Sequence, residues 1–217
     1  MRENRKELVI ALWFCVLLIL IRAPYLFLDA RFWAEEGCVY FKYAYKNGIK
    51  ILYWMDDTGY FYLFANLAAW IATMVPLAVA PYITTVLAFF VQVMLLVAIL
   101  FLPSKLFTSV YSKIIASIFT VLGPCIVSEV WLNTINSQVF FGLIGICVLF
   151  SDNIQLKKKE FCAWMIILVI ASLSGAYCFV LVPFFVIKYY LGNKKAKVEM
   201  IIMIITATIQ GRLSENP

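Results

Sequence analysis

The sequence contains no histidine, and with it go the commonest general base near neutral pH and the commonest metal ligand. Charge is nearly as scarce. Asp, Glu, Lys and Arg make up 14% of the 217 residues and the hydrophobic set 65%, against roughly 25% and 45–50% in soluble domains. That apolar excess is too large to hide inside a globule of this length, so an integral membrane protein is expected. Strict apolar–polar alternation is missing too, which excludes the strands of a transmembrane β-barrel and leaves helices. Residues 58–104 and 161–187 carry no charge, and residues 114–151 carry only Glu129. A crossing needs about 20 apolar residues for a hydrocarbon core of about 30 Å. The first run therefore has room for two crossings, and each of the others for one crossing or two short helices.

The start, "MRENRKELVIALWFCVLLILI", has the basic head and apolar core of a signal peptide. Arg22, Pro24 and Tyr25 stand where a small-x-small cleavage site belongs, so a retained first span over 8–28 is expected, entering from the cytoplasm. An outer loop over 29–57 follows. Core spans over 58–151, interrupted by a polar island at 128–138, and remaining spans over 161–210 complete a single membrane domain, 1–217. The lysines at 157–159 and at 194, 195 and 197 mark the cytoplasmic side under the positive-inside rule. If Lys105 and Lys113 are cytoplasmic as well, the block 58–104, broken by Pro76 and Pro81, crosses an odd number of times and one half is re-entrant or interfacial. The expected fold is an all-α polytopic membrane protein with about 6–8 transmembrane or re-entrant helices and an amphipathic helix in the first outer loop. Lysines placed between spans argue against a nucleic-acid partner. The six cysteines (15, 38, 125, 147, 162 and 178) mostly lie in apolar runs and read as small buried hydrophobes. Arg22 and Lys188 near span ends read as snorkelling anchors. The abrupt polar end "ATIQGRLSENP" reads as the truncated end of a longer protein.

Two polar islands remain. In "LDARFWAEEGCVYFKYAYKNG", residues 28–48, Asp29 and Arg31 close the first span, with Phe32 and Trp33 at interfacial depth. Glu35 and Glu36 then begin a short amphipathic helix that places Lys42 and Lys46 on one face and ends at Asn47–Gly48. Carboxylates at a helix start are favoured by the free N–H groups, so solvated helix-start charges are one reading. The other is a carboxylate base beside the membrane, its pKa raised by desolvation. The second island, "SEVWLNTINSQ", offers Glu129, Trp131, Asn133, Thr134, Asn136 and Gln138. An ordinary turn explains it; so does a sugar site, where amides bond the ring edge and tryptophan stacks on its face. Polar groups at membrane depth tend to mark a pathway or site.

"DARFWAEEG" leading into "YFKYAYKNG" and "GYFYLFANLAAWIATMVPLAVAP", with the later "EVWLNTINSQVFFGL" and "LSGAYCFVLVPFFVIKYY", resembles bacterial glycosyltransferases of the GT-C superfamily. It is most similar to the serotype-converting O-antigen glucosyltransferases, over the N-terminal part of such enzymes. The resemblance implies a multi-pass enzyme of the bacterial inner membrane. It would move a sugar, glucosyl for instance, from a polyprenyl-phosphate carrier to a glycan acceptor such as the O-antigen of lipopolysaccharide. It implies Glu35, Glu36 or Asp29 as base or metal ligand. Arg31, Lys42 and Lys46 would meet the phosphate, and Trp33, Glu129, Trp131, Asn133, Asn136 and Gln138 the sugar. A bound Mg²⁺ or Mn²⁺ is the alternative way to neutralise the phosphate. Asn66 stands where relatives often carry Arg, which removes one phosphate contact. Rival readings are a lipid-linked-sugar flippase or transporter-like subunit, and an inactive truncated fragment.

Overall fold

A computed structural model describes residues 2–56, 59–124, 131–192 and 194–215. Ten α-helices run through them, and no strand forms among the described residues beyond isolated bridges at Tyr62–Ser174 and Ser104–Ser151. Helix α1 (Arg2–Arg22) stops ahead of Pro24, behind which one turn, α2 (Tyr25–Leu28), begins. A π-helical turn (Glu36–Phe41), α3 (Lys42–Asn47) and a 3₁₀ turn (Gly48–Tyr53) form the loop. Then come α4 (Leu63–Ala72), α5 (Ala80–Phe101), α6 (Val110–Leu122) and α7 (Ser137–Leu149). After a short turn (Asn153–Gln155), α8 (Lys158–Ser172), α9 (Tyr177–Leu191) and α10 (Lys194–Glu215) complete the chain.

The expected 6–8 membrane-crossing or re-entrant helices are not found. Among the described residues only α5 is long and apolar enough to cross a membrane; its 22 residues rise about 33 Å. Helices α4, α6, α7 and α9 have 10, 13, 13 and 15 residues and rise only about 15–23 Å. Helices α1 and α10 have the length, but charges at both ends shorten their apolar stretch: Arg5, Lys6, Glu7 and Arg22 on the first, Lys195, Lys197, Glu199 and Arg212 on the second. The expectation failed on length: the pieces between the breaks are too short, or too charged at their ends, to cross. The expected span 8–28 is broken at Arg22–Pro24. The run 161–187 is broken at Gly175, whose φ of +121° suits glycine alone and where a Cβ would meet Gln138 Oε1 at 2.6 Å.

The main core joins Cys15 and Ile19 of α1, Val91, Leu95 and Ile99 of α5, Phe141 and Ile144 of α7, Leu168 of α8, Phe185 of α9 and Met203 of α10. A smaller core of Tyr40, Ala44, Ile51, Tyr62, Ala65 and Ala69 seats the loop on α4. A third, of Phe41, Ala72 and Ala80, ties the loop to the first residue of α5. Outside these cores, Ile10, Trp13, Phe14 and Leu17 of α1, Phe184 and Leu191 of α9, and Ile204 and Ile205 of α10 are exposed. Contiguous exposed apolar faces of this kind mark contact with membrane or with another protein.

Several basic residues close helix ends. Unpaired carbonyls and the negative dipole end at a helix C-terminus attract cations. Lys113 Nζ donates to Leu100 O and Leu102 O, both at 2.9 Å, at the end of α5. Arg22, contrary to its reading as a snorkelling anchor, donates to Val121 O and Pro124 O at the end of α6. Lys188 is likewise turned inward, donating to Val148 O of α7 at 2.8 Å and pairing with Glu199 of α10 at 2.8 Å. Cys15, Cys147 and Cys178 are buried as expected, whereas Cys38 and Cys162 are exposed; Cys125 lies outside the described residues.

Gly37, in the π-helical turn, is held against Phe32: a Cβ there would lie 2.9 Å from Phe32 Cβ. That atom is fixed to the backbone and has no rotamer by which to escape. Gly37→Ala is expected to destabilise the loop by about 1–3 kcal/mol, read as a lower midpoint of thermal unfolding and earlier proteolysis within 29–57.

Candidate functional site

The two polar islands of the sequence meet. Two residues in the left-handed region turn the backbone at the junction: Ala34 (φ +47°) just before the glutamates and Leu132 (φ +55°) just before Asn133. Left-handed non-glycine residues carry strain, which surrounding contacts must hold in place. Here the contact is Glu36. Its carboxylate is 3% exposed. Oε1 accepts the Thr134 N–H at 2.7 Å and also the Thr134 hydroxyl, while Oε2 accepts the Trp33 N–H at 3.3 Å. Asn133 Nδ2 donates to Trp33 O at 3.3 Å, and Asn133 Oδ1 accepts the N–H groups of Ile135 and Asn136 at 2.8 and 3.1 Å. Burial pushes the Glu36 carboxyl above its ordinary range; the Thr134 and Trp33 donors oppose that.

The two adjacent glutamates are thus unlike. Glu36 is buried and bonded on both oxygens, and Glu35 is exposed. Glu35 acts, with Asp56, on the phenol of Tyr40, whose hydroxyl donates to Asp56 Oδ2 at 2.9 Å. Burial first, then the negative charge of Asp56, holds the Tyr40 phenol protonated far above its usual range. Around it stand Trp54 and Tyr62, edge-on to Tyr40 at 5.6 and 6.2 Å, and Tyr43, stacked on Trp54 at 4.3 Å. Asn66 Nδ2 donates to Trp54 O at 2.7 Å, while its buried Oδ1 has no partner among the described residues. This aromatic–acid cluster has no counterpart among the expected site residues. Its only trace in the sequence is the density of aromatics in 40–62.

The other expected site residues divide between these clusters and the surface. Asp29 pairs with Arg31 at 2.6 Å with both side chains about two-thirds exposed, a geometry worth little energetically. Lys42, Tyr45 and Lys46 are exposed on α3, while Ala44 is buried, as are Tyr40 and Phe41 in the turn before it. Trp131 is buried at 1% exposure beneath the Arg22 guanidinium, 4.7 Å from its ring centroid. The indole N–H groups of Trp33 and Trp131 both lack a partner among the described residues. Asn136 lines a cavity of 250 Å³ with Thr120, Pro124 and Phe140, and Gln138 packs on Gly175. Glu129 lies outside the described residues. Among the described residues no three Asp, Glu or Cys side chains cluster as metal ligands. No known protein family, curated protein or solved structure matches the chain.

Proposed function

We propose that the chain is a membrane-associated glycosyltransferase that moves a sugar from a polyprenyl-phosphate carrier to a glycan acceptor such as O-antigen at the outer face of the bacterial inner membrane. One observation carries this reading. The acid-bearing loop and the amide- and tryptophan-bearing island, 98 residues apart, are bonded to each other through Glu36 and Thr134. Glu35 is left as the accessible carboxylate beside them. In this mechanism Glu35 takes the proton of an acceptor hydroxyl, the hydroxyl oxygen bonds to the anomeric carbon, and the bond from that carbon to the lipid phosphate breaks. Lys42, Lys46 and Arg31 supply positive charge for the departing phosphate. Glu36 is a positioning residue, since both its oxygens are engaged.

The test is transfer from a polyprenyl-phosphate sugar by the purified chain in lipid. Glu35→Gln is expected to lower turnover by about 10²-fold, the lower end of general-base contributions, and Glu36→Gln much less. Full turnover with Glu35→Gln would remove the base from the mechanism. The transporter-like alternative is favoured by Gln92, midway along α5, both of whose amide atoms are buried without a partner among the described residues. Polar groups so placed in a spanning helix can line a pathway. Movement of a fluorescent lipid-linked sugar across vesicles without transfer would decide for it.

A further inference from the structure

At the other end of α5 lies a cavity of 540 Å³, within the range of about 300–1,000 Å³ typical of small-molecule sites. The loop and Glu36 sit at the Ala80 end of α5, through the Phe41–Ala72–Ala80 contact. The cavity is lined by Lys105, four residues past Phe101. The two sites are therefore separated by roughly the length of α5, about 33 Å. One wall of the cavity is apolar, formed by Phe184, Ile187 and Leu191 of α9, all of them exposed and continuous with the outer face of that helix. The other wall is charged, formed by Lys105, Asp152 and Lys188.

The charges are arranged in an order that narrows the occupant. Lys188 spends two of its three N–H groups on Val148 O and Glu199, leaving one. Lys105 is exposed and lines the same cavity as Lys188; its charge acts against that of Lys188, while Glu199 and Asp152 act for it, so a phosphate can be shared by the two lysines. Glu199, fully buried behind, balances Lys188. Asp152 accepts the Ile154 N–H and the Gln155 amide, the latter at 2.9 Å, and a carboxylate retains further lone pairs after two such bonds. A simple anion would meet Lys105 and Lys188 but be repelled by Asp152. A zwitterion with its positive group beyond its phosphate meets all three.

We propose that this cavity binds the headgroup of a phosphoethanolamine lipid, with the phosphate at Lys105 and Lys188, the ammonium at Asp152, and one acyl chain along Phe184, Ile187 and Leu191. The apolar wall asks for a chain, the paired charges ask for a zwitterion, and the end of α5, which among the described residues is the one helix both long and apolar enough to cross a membrane, is where headgroups lie. The site owes nothing to the transferase reading.

The experiment uses the purified full chain in a neutral detergent, titrated separately with short-chain phosphatidylethanolamine, phosphatidylglycerol, free phosphoethanolamine and inorganic phosphate, with binding read by native mass spectrometry. Phosphatidylethanolamine is expected to bind tightest. Lys105→Gln should weaken it about tenfold or more, the worth of one charge-assisted hydrogen bond. Asp152→Asn should erase the preference over phosphatidylglycerol while leaving the latter bound. Circular dichroism checks that both variants fold. Equal binding of the two lipids by the unaltered chain would reduce the site to an anionic-lipid site and overturn the zwitterion. Equal binding of free phosphate would overturn the lipid, and lipid binding indifferent to Lys105→Gln would overturn the site.

Discussion

Glu199→Ala should lower stability by about 3–5 kcal/mol, the usual consequence of leaving one member of a buried ion pair behind. The carboxylate of Glu199 is 0% exposed and meets Lys188 at 2.8 Å, and its other oxygen accepts the side-chain amide of Asn153. Asn153 Oδ1 and Val148 O, the latter at 2.7 Å, share the single hydroxyl hydrogen of Ser151. Removing the carboxylate leaves the Lys188 ammonium, only 18% exposed, without its counter-ion and the Asn153 amide without its acceptor. For a chain of this length that corresponds to a fall of roughly 6–20 °C in the unfolding midpoint. The double change Lys188→Met with Glu199→Leu should recover most of the loss, because a well-packed apolar pair replaces a buried ion pair at little net cost. Thermal unfolding of the three variants in one detergent checks this. If the double variant is as unstable as Glu199→Ala, the pair is held by packing rather than charge. One further structural consequence follows: α9 and α10, which pack on each other, should separate first in the single variant.

Glu36→Ala is expected to destabilise by about 3 kcal/mol, since roughly 1–3 kcal/mol attaches to each buried donor left without an acceptor. Thr134 N–H, the Thr134 hydroxyl and Trp33 N–H all lose theirs. Glu36→Gln should be far milder, because its amide oxygen still accepts both Thr134 donors and only the 3.3 Å contact to Trp33 is lost. The two variants also separate charge from hydrogen bonding through pH. Burial raises the folded-state pKa of Glu36 above its ordinary value of 4.5. Between 4.5 and the raised value the folded state holds more protons than the unfolded one, so stability falls as pH rises through that window and levels off above it. Below 4.5 both states are protonated and the stability is fully present. Unfolding midpoints from pH 4 upward should therefore slope downward more steeply in the unaltered protein than in Glu36→Gln. Parallel slopes would show that the three donors, rather than burial, set the ionisation of Glu36.

The helical character of the chain, its deficit of charge and the polar islands at 28–48 and 128–138 are all legible in the sequence, because they are sums over neighbouring residues. The number of crossings is not. The break at Pro76 is legible in the sequence, but Arg22–Pro24 cuts a run that reads as one span, and helix length follows from where each interruption falls. Lys188 and Glu199 could have been found as the charges that end or enter otherwise apolar helices. Their pairing, and the Asn153 bond behind it, could not.

The same division holds at the candidate site. The sequence alone determined that carboxylates, tryptophans and amides occur in two islands within an apolar, helical chain. Only the tertiary structure decided that Glu36 is the buried bridge and Glu35 the accessible acid, although the two are adjacent and chemically identical. The physical reason is direction. The turns at Ala34 and Leu132 aim one side chain at Thr134, 98 residues away, and leave its neighbour in solvent, and such aiming has no counterpart in local composition.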